Sequence, residues 1–181
     1  RHSVAKKLSA LMSIDESEFT RYFDVVDLNF DQWNNINGLE VKPLFSPHPV
    51  ETNLFVFRAA GGEGYRTYGH WADLTSFAVL ENMLEEDPDK PGICRAWHDE
   101  IKQRYLSPMH LKKIDIGGGL IHGMVEDYAD DNSERIVLAH TDKELTPEQK
   151  EVGSNAAFAS VDVLIERKED YLRTKAMYCL Q

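Results

Sequence analysis

The sequence predicts an α+β protein whose strands fall into two groups, with helices before, between and after them. Apolar residues recur every three to four positions near both ends of the chain and in its centre, which is typical of amphipathic helices. Extended segments cluster at about 39–70 and 113–140 and do not alternate singly with helices. This grouping favours an antiparallel sheet packed with N-terminal, central and C-terminal helices over a doubly wound parallel sheet.

The N-terminal region is predicted to be helical. Val4, Leu8 and Leu11 share one helical face, and a second helix is expected over residues 15–26 after a capping box that begins at Ser13. Residues 1–28 are interpreted as a possible small helical extension of a single domain over residues 1–181. Because the chain begins with Arg1, we expect it to be an excised or processed part of a longer protein.

The first strand group follows a turn at Asn37-Gly38, a dipeptide that tolerates positive φ. Strands are expected at 39–45, 52–59 and 65–70, with proline between the first two and glycines between the last two. Short connections of this kind join neighbouring antiparallel strands. The first group is therefore predicted to be a three-stranded meander.

The second half of the chain is predicted to hold two central helices, three strands and C-terminal helices. The helices are expected at 73–86 and 93–106, and the strands at 113–116, 120–125 and 135–140. Thr146-Pro147 is typical of a helix start, with threonine as the N-cap and proline at the first helical position. A last helix is expected from about residue 168 to the end.

Charge and composition limit the class of partner. The chain of 181 residues has a formal net charge of −11 and 42% hydrophobic residues, so it can bury a core. Nucleic acids and anionic membranes attract clustered lysine and arginine, and we expect neither to be a partner. No apolar run approaches the length of a membrane span. Two cysteines do not form a disulfide framework, and the sequence favours a cytoplasmic location.

Arg66, Tyr68 and His70 are the first candidate ligand-binding residues. They alternate along the strand expected at 65–70 and therefore share one face of it. Such a row can line a cleft for an anionic or planar ligand. The alternative is the solvated face of an edge strand.

Gly117, Gly118, Gly119 and His122 are the second set of candidates. The run Asp115-Ile-Gly-Gly-Gly locally resembles the phosphate loop of actin-fold ATPases and exopolyphosphatases, in which glycine N–H groups surround phosphate oxygens. This chain has Leu120 where that pattern continues with Ser or Thr, and it is too short for an actin-like fold. A glycine-rich turn without a ligand is the favoured interpretation.

A metal site is not expected from the spacing of the seven histidines. Neither His-x-His nor His-x-x-x-His occurs, and those spacings let one strand or helix supply two ligands. Cys94 and His98 lie four apart on a predicted helix, where a buried cysteine beside a surface histidine is the preferred interpretation. We expect neither a metal nor another cofactor.

The sequence favours a non-catalytic regulatory or interaction module of a larger protein, which binds a protein partner, a small ligand or a second copy of itself. Catalytic motifs such as Gly-x-Ser-x-Gly or a P-loop are absent from the chain. The alternative is a small enzyme that acts on a phosphorylated or carboxylated metabolite. It would hold the anion with Arg66 and use His70 or His122 as general acid–base.

Overall fold

Six strands form one mixed sheet in the computed structural model, which describes residues 2–50, 52–61, 64–117, 121–141 and 143–153. The strands lie in chain order across the sheet. They are β1 (Asn34–Ile36), β2 (Leu39–Phe45), β3 (Asn53–Gly61), β4 (Gly64–His70), β5 (Leu111–Asp115) and β6 (Ile136–Ala139).

Four α-helices and two 3₁₀ helices accompany the sheet within the described residues. The α-helices are α1 (His2–Met12), α2 (Phe77–Asn82), α3 (Arg95–Tyr105) and α4 (Pro147–Val152), and the 3₁₀ helices are Glu16–Arg21 and Val125–Tyr128. None of these helices is long and apolar enough to span a bilayer.

The first strand group is the antiparallel meander that the sequence predicts, with β1 added at its edge. Val41 pairs with Phe57 across β2 and β3, and Phe57 pairs with Tyr68 across β3 and β4. The β1–β2 turn has φ of 53° at Asn37 and 93° at Gly38. Two consecutive positive φ values match the right-handed twist of a hairpin, which explains the Asn-Gly sequence.

The prediction of an antiparallel sheet is wrong for the second strand group. β4 pairs with β5 in parallel, and β5 pairs with β6 in parallel. Both connections are long: α2 and α3 lie between β4 and β5, and a 3₁₀ helix lies between β5 and β6. Parallel neighbours need such crossovers, whereas antiparallel neighbours can be joined by a tight turn. Both strand groups therefore belong to one sheet.

Several predicted elements change at their boundaries or in kind. The second N-terminal helix is a 3₁₀ helix, and Asp15, not Ser13, caps it by accepting from Ser17 N. The strand predicted at 120–125 is wrong, because residues 121–124 are irregular and a 3₁₀ helix begins at Val125. The Thr146 cap is confirmed, since its side chain accepts from Gln149 N. The helix predicted from residue 168 lies outside the described residues.

The hydrophobic core lies between α2, α3 and one face of the sheet. Leu54 on β3, Ile114 on β5 and Leu138 on β6 are almost completely buried. Trp71 is also completely buried, and its indole N–H donates to the Tyr105 carbonyl at 3.0 Å. Burying these large side chains removes apolar surface from water, which is the main force holding the helices on the sheet.

A buried ion pair joins β5 to the chain around it. Lys112 is completely buried and donates to the carbonyls of Tyr105 at 3.0 Å and Ser107 at 2.8 Å, and to the Asp131 carboxylate. The Lys112 and Asp131 side chains are both inaccessible to solvent. Lys112 therefore connects the end of α3 to the β5–β6 connection, three residues before the end of β5.

Candidate metal centre

The carboxyl ends of the three parallel strands meet at one edge of the sheet. Asp73 follows β4, Asp115 is the last residue of β5, and His140 directly follows β6. His122 reaches the same place from the β5–β6 connection. Each of the four offers a metal-ligating atom, and these atoms all lie within 4.8 Å of one another. In open sheets, the carboxyl ends of parallel strands are where ligands commonly bind.

Asp115 is the centre of this cluster. Its carboxylate is completely buried, and its Oδ1 accepts the Gly117 backbone N–H at 2.8 Å. His122 Nδ1 lies 2.8 Å from Asp115 Oδ2, and His140 Nδ1 lies 3.0 Å from Asp115 Oδ1. Each imidazole can donate an Nδ1–H to this carboxylate when no cation intervenes.

Two glycines allow the His122 loop to approach the end of β5 closely. A Cβ on Gly117 would lie 2.7 Å from His122 Cγ and 3.1 Å from Asp115 Oδ1. A Cβ on Gly123 would lie 2.6 Å from the Asp115 carbonyl oxygen and 2.9 Å from Leu74 Cδ1. Any larger residue at either position would push the loop away from Asp115.

His140 and Asp73 form the open side of the cluster. Their side chains are 52% and 43% exposed, and His140 Nδ1 lies 3.4 Å from Asp73 Oδ1. His140 has a φ of 62°, a conformation that costs energy for a non-glycine residue and that is enriched at functional sites. The Asp73 carbonyl accepts from Ser46 Oγ at 2.7 Å, which fixes the backbone there.

The donor set matches a borderline divalent cation. Two imidazole nitrogens and two carboxylate oxygens suit zinc and related transition metals. Tetrahedral zinc with bonds of about 2.0–2.1 Å separates its ligand atoms by roughly 3.3–3.4 Å. The 3.4 Å between His140 Nδ1 and Asp73 Oδ1 matches that separation. The contacts of Asp115 with His122 at 2.8 Å and with His140 at 3.0 Å are hydrogen-bond distances, which a bound metal would widen.

Of the predicted site residues, His122 belongs to this cluster and Gly117 donates its N–H to Asp115, while Gly118 and Gly119 lie outside the described residues. Arg66 lies toward the opposite edge of the sheet, where it contacts Glu134 at 3.4 Å before β6 begins. The structure therefore does not bring Arg66 and His122 into one site.

Tyr68 and His70 do share a face of β4, as the alternation predicts. The Tyr68 hydroxyl lies 2.9 Å from His70 Nδ1. Burial raises the pKa of Tyr68, and it lowers the pKa of His70 with a further contribution from the Lys113 charge. His70 pairs in register with Lys113, two residues before Asp115. His70 therefore lies beside the strand that ends at Asp115.

The prediction that Cys94 is buried and His98 is exposed is wrong. Cys94 is exposed as the N-cap of α3, whereas His98 is buried on the core side of that helix. His98 Nδ1 lies 2.9 Å from Asp99 Oδ1 and its Nε2 lies 3.1 Å from Glu81 Oε2. The two residues therefore face apart and do not form a dyad.

The sequence patterns do not single out Asp73, Asp115 or His140 as site residues. The available signal was their position, since each ends or closely follows an extended segment. The ends of these segments meet only in a parallel arrangement, whereas the sequence predicts antiparallel strands in the second group.

Comparisons with known proteins add a distant structural likeness. No family model matches the sequence, and no curated protein matches it. Among solved structures, the metallo-beta-lactamase fold protein YhfI from Bacillus subtilis is similar with a TM-score of 0.44 and 13% identity. The alignment covers 77% of this chain and 56% of that chain, so this chain spans little more than half the length of that protein.

Proposed function

We propose that this chain binds a divalent transition-metal ion of the zinc class through Asp73, Asp115, His122 and His140, and that the site hydrolyses a small anionic substrate. The observation that carries the proposal is the convergence of four ligating side chains from four segments at one sheet edge. Two of the four are imidazoles, which distinguishes the cluster from an ordinary acidic surface.

The exposure of the cluster supports a catalytic site over a structural one. Structural zinc sites are closed by four protein ligands, whereas catalytic sites keep a position open to water or substrate. Asp115 is completely buried, but His140 and Asp73 are about half exposed. A metal held there would supply a Lewis acid and a bound water of lowered pKa.

The residues around the ligands support an ordered site. The Gly117 N–H holds Asp115 Oδ1, and both Asp115 oxygens face an imidazole Nδ1. This arrangement orients both rings before any ligand arrives. Side chains already fixed by hydrogen bonds bind without losing further conformational freedom.

Lys113 supports the anionic class of substrate. It lies two residues before Asp115 on β5, and a strand repeats its side-chain direction every two residues. Lys113 makes no ion pair with any described residue, and its Nζ donates to the Trp71 carbonyl at 3.5 Å. In this proposal Lys113, and not Arg66, holds the anionic substrate, and His70 lies beside Lys113 on the neighbouring strand.

Metal titration of the full chain tests the first part of the proposal. Isothermal titration calorimetry with Zn²⁺ or Mn²⁺ should show one site, with proton release when the metal displaces imidazole protons. His140→Ala and His122→Ala should each weaken binding by at least about tenfold. His110→Ala is the matched control, because His110 lies near Glu134 at the opposite sheet edge. Equal binding by all three variants would reject the site.

Hydrolysis assays test the second part. The metal-loaded chain should cleave bis(p-nitrophenyl) phosphate, and Lys113→Ala should raise KM for this anion but not for neutral p-nitrophenyl acetate. A chain that binds metal without hydrolysing either ester would support the other prediction from the sequence, a non-catalytic ligand-binding module.

A further inference from the structure

A groove of about 910 Å³ separates the N-terminal segment from the outer face of the sheet, which is the face opposite the core. Pro43 and Phe55 form its floor on β2 and β3. Its other walls are apolar residues from α1, the 3₁₀ helix and the chain that follows: Val4, Ala5, Phe19, Phe23, Val25, Val26, Leu28 and Phe30.

The walls of this groove leave large apolar side chains in contact with solvent. Val4 and Val26 are each 57% exposed, and Phe30 is 51% exposed. The helical pattern at Val4, Leu8 and Leu11 predicts burial, yet Leu11 is also exposed. Contiguous exposed apolar surface of this kind is typical of interaction surfaces and ligand-binding grooves.

The rim of the groove is acidic. Glu16 and Asp24 line it and are exposed, and neither makes an ion pair within the described residues. A segment that binds here should therefore place apolar side chains against the walls of the groove and positively charged side chains near its acidic rim.

Residues 171–181 of the same chain have this composition. The segment contains Tyr171, Leu172, Met177, Tyr178 and Leu180, and its two charged residues are Arg173 and Lys175. We propose that residues 171–181 bind in the groove of their own chain, with Arg173 and Lys175 facing Glu16 and Asp24.

The chain between Gly153 and residue 171 is long enough for this contact. Structure is described as far as Gly153, and residues 154–170 can span at most about 60 Å when fully extended. A compact domain of about 150 residues has a radius of gyration of roughly 15 Å, so every part of its surface is within reach. Tethering also gives the segment a high effective concentration at the groove.

Alkylation of Cys179 tests the proposal in the full-length chain. The chain has two cysteines, so Cys94→Ser leaves Cys179 as the single thiol. Its reaction with N-ethylmaleimide, followed by mass spectrometry, should be at least about tenfold slower in the native protein than in guanidinium chloride, because only the released segment reacts.

Charge reversal then identifies the groove as the site of protection. Glu16→Lys with Asp24→Lys should restore rapid alkylation, and adding Arg173→Glu with Lys175→Glu should return the protection. Glu86→Lys with Asp89→Lys is the matched control, since it changes the charge equally at exposed residues outside the groove and should leave the rate unchanged.

Three results would overturn the proposal. They are native alkylation as fast as in the unfolded chain, protection that survives reversal of Glu16 and Asp24, and protection that disappears on dilution. The last result would assign the groove to the segment of a second copy. Metal binding plays no part in this experiment, so its outcome is independent of the proposed metal site.

Discussion

Gly117→Ala is expected to weaken metal binding while leaving the chain folded. Gly117 is not among the described glycines with positive φ, so alanine can adopt its backbone conformation. The cost comes from the new methyl group, which would lie 2.7 Å from His122 Cγ and 3.1 Å from Asp115 Oδ1. Both affected residues belong to the proposed metal site.

The size of the effect follows from these distances. His122 must withdraw by about 0.7 Å to restore an ordinary contact of 3.4 Å, and its 2.8 Å approach to Asp115 opens accordingly. Misplacing a group that orients a metal ligand typically lowers affinity by about 10–100-fold. This corresponds to about 1.4–2.7 kcal/mol of binding free energy.

The assay compares Zn²⁺ affinity by calorimetry with the free energy of unfolding by urea for the same variant. Gly92→Ala is the matched control, because its Cβ would lie 2.5 Å from Glu85 Cβ in the connection between α2 and α3. Gly92→Ala should lower stability and leave metal affinity unchanged. Wild-type affinity in folded Gly117→Ala protein would refute the assignment of His122 as a ligand.

Three further predictions concern stability and ionisation. Urea denaturation should show that Lys112→Met and Asp131→Asn each lower the free energy of unfolding by about 3–5 kcal/mol, because each single change leaves a buried charge unpaired. The double variant should lose less than the sum of the two single losses. Additive losses would contradict the pairing of Lys112 with Asp131. NMR titration should give His70 a pKa below its usual 6.5, and Lys113→Met should raise it. Because His70 binds fewer protons in the folded than in the unfolded chain, its contribution to the free energy of unfolding is lost as pH falls from 6.5 through the folded pKa. A pKa of His70 at its usual value would contradict the burial of this side chain. Thr146→Ala should cost about 1 kcal/mol of unfolding free energy by removing the α4 cap, whereas a neutral result would show that α4 adds no global stability.

Interactions between residues close together in the sequence determined most of the secondary structure. The Asn37-Gly38 turn, the alternation through β2, β3 and β4, and the Thr146 cap depend on interactions within a few residues. The α+β class and the positions of five of the six strands follow from such patterns, because turn residues and side-chain periodicity act locally whatever the rest of the chain does.

Only the tertiary structure decided the direction of the last strands and, with it, the site. The same segment 111–115 has the same local pattern whether it pairs in parallel or antiparallel with β4. What differs is the path of the connection, which depends on packing α2 and α3 against one sheet face. Parallel pairing places Asp73, Asp115 and His140 at one edge, although they are far apart in sequence. The sequence indicates His122 as a candidate site residue, but only the parallel pairing of β4, β5 and β6 places Asp73, Asp115 and His140 beside it.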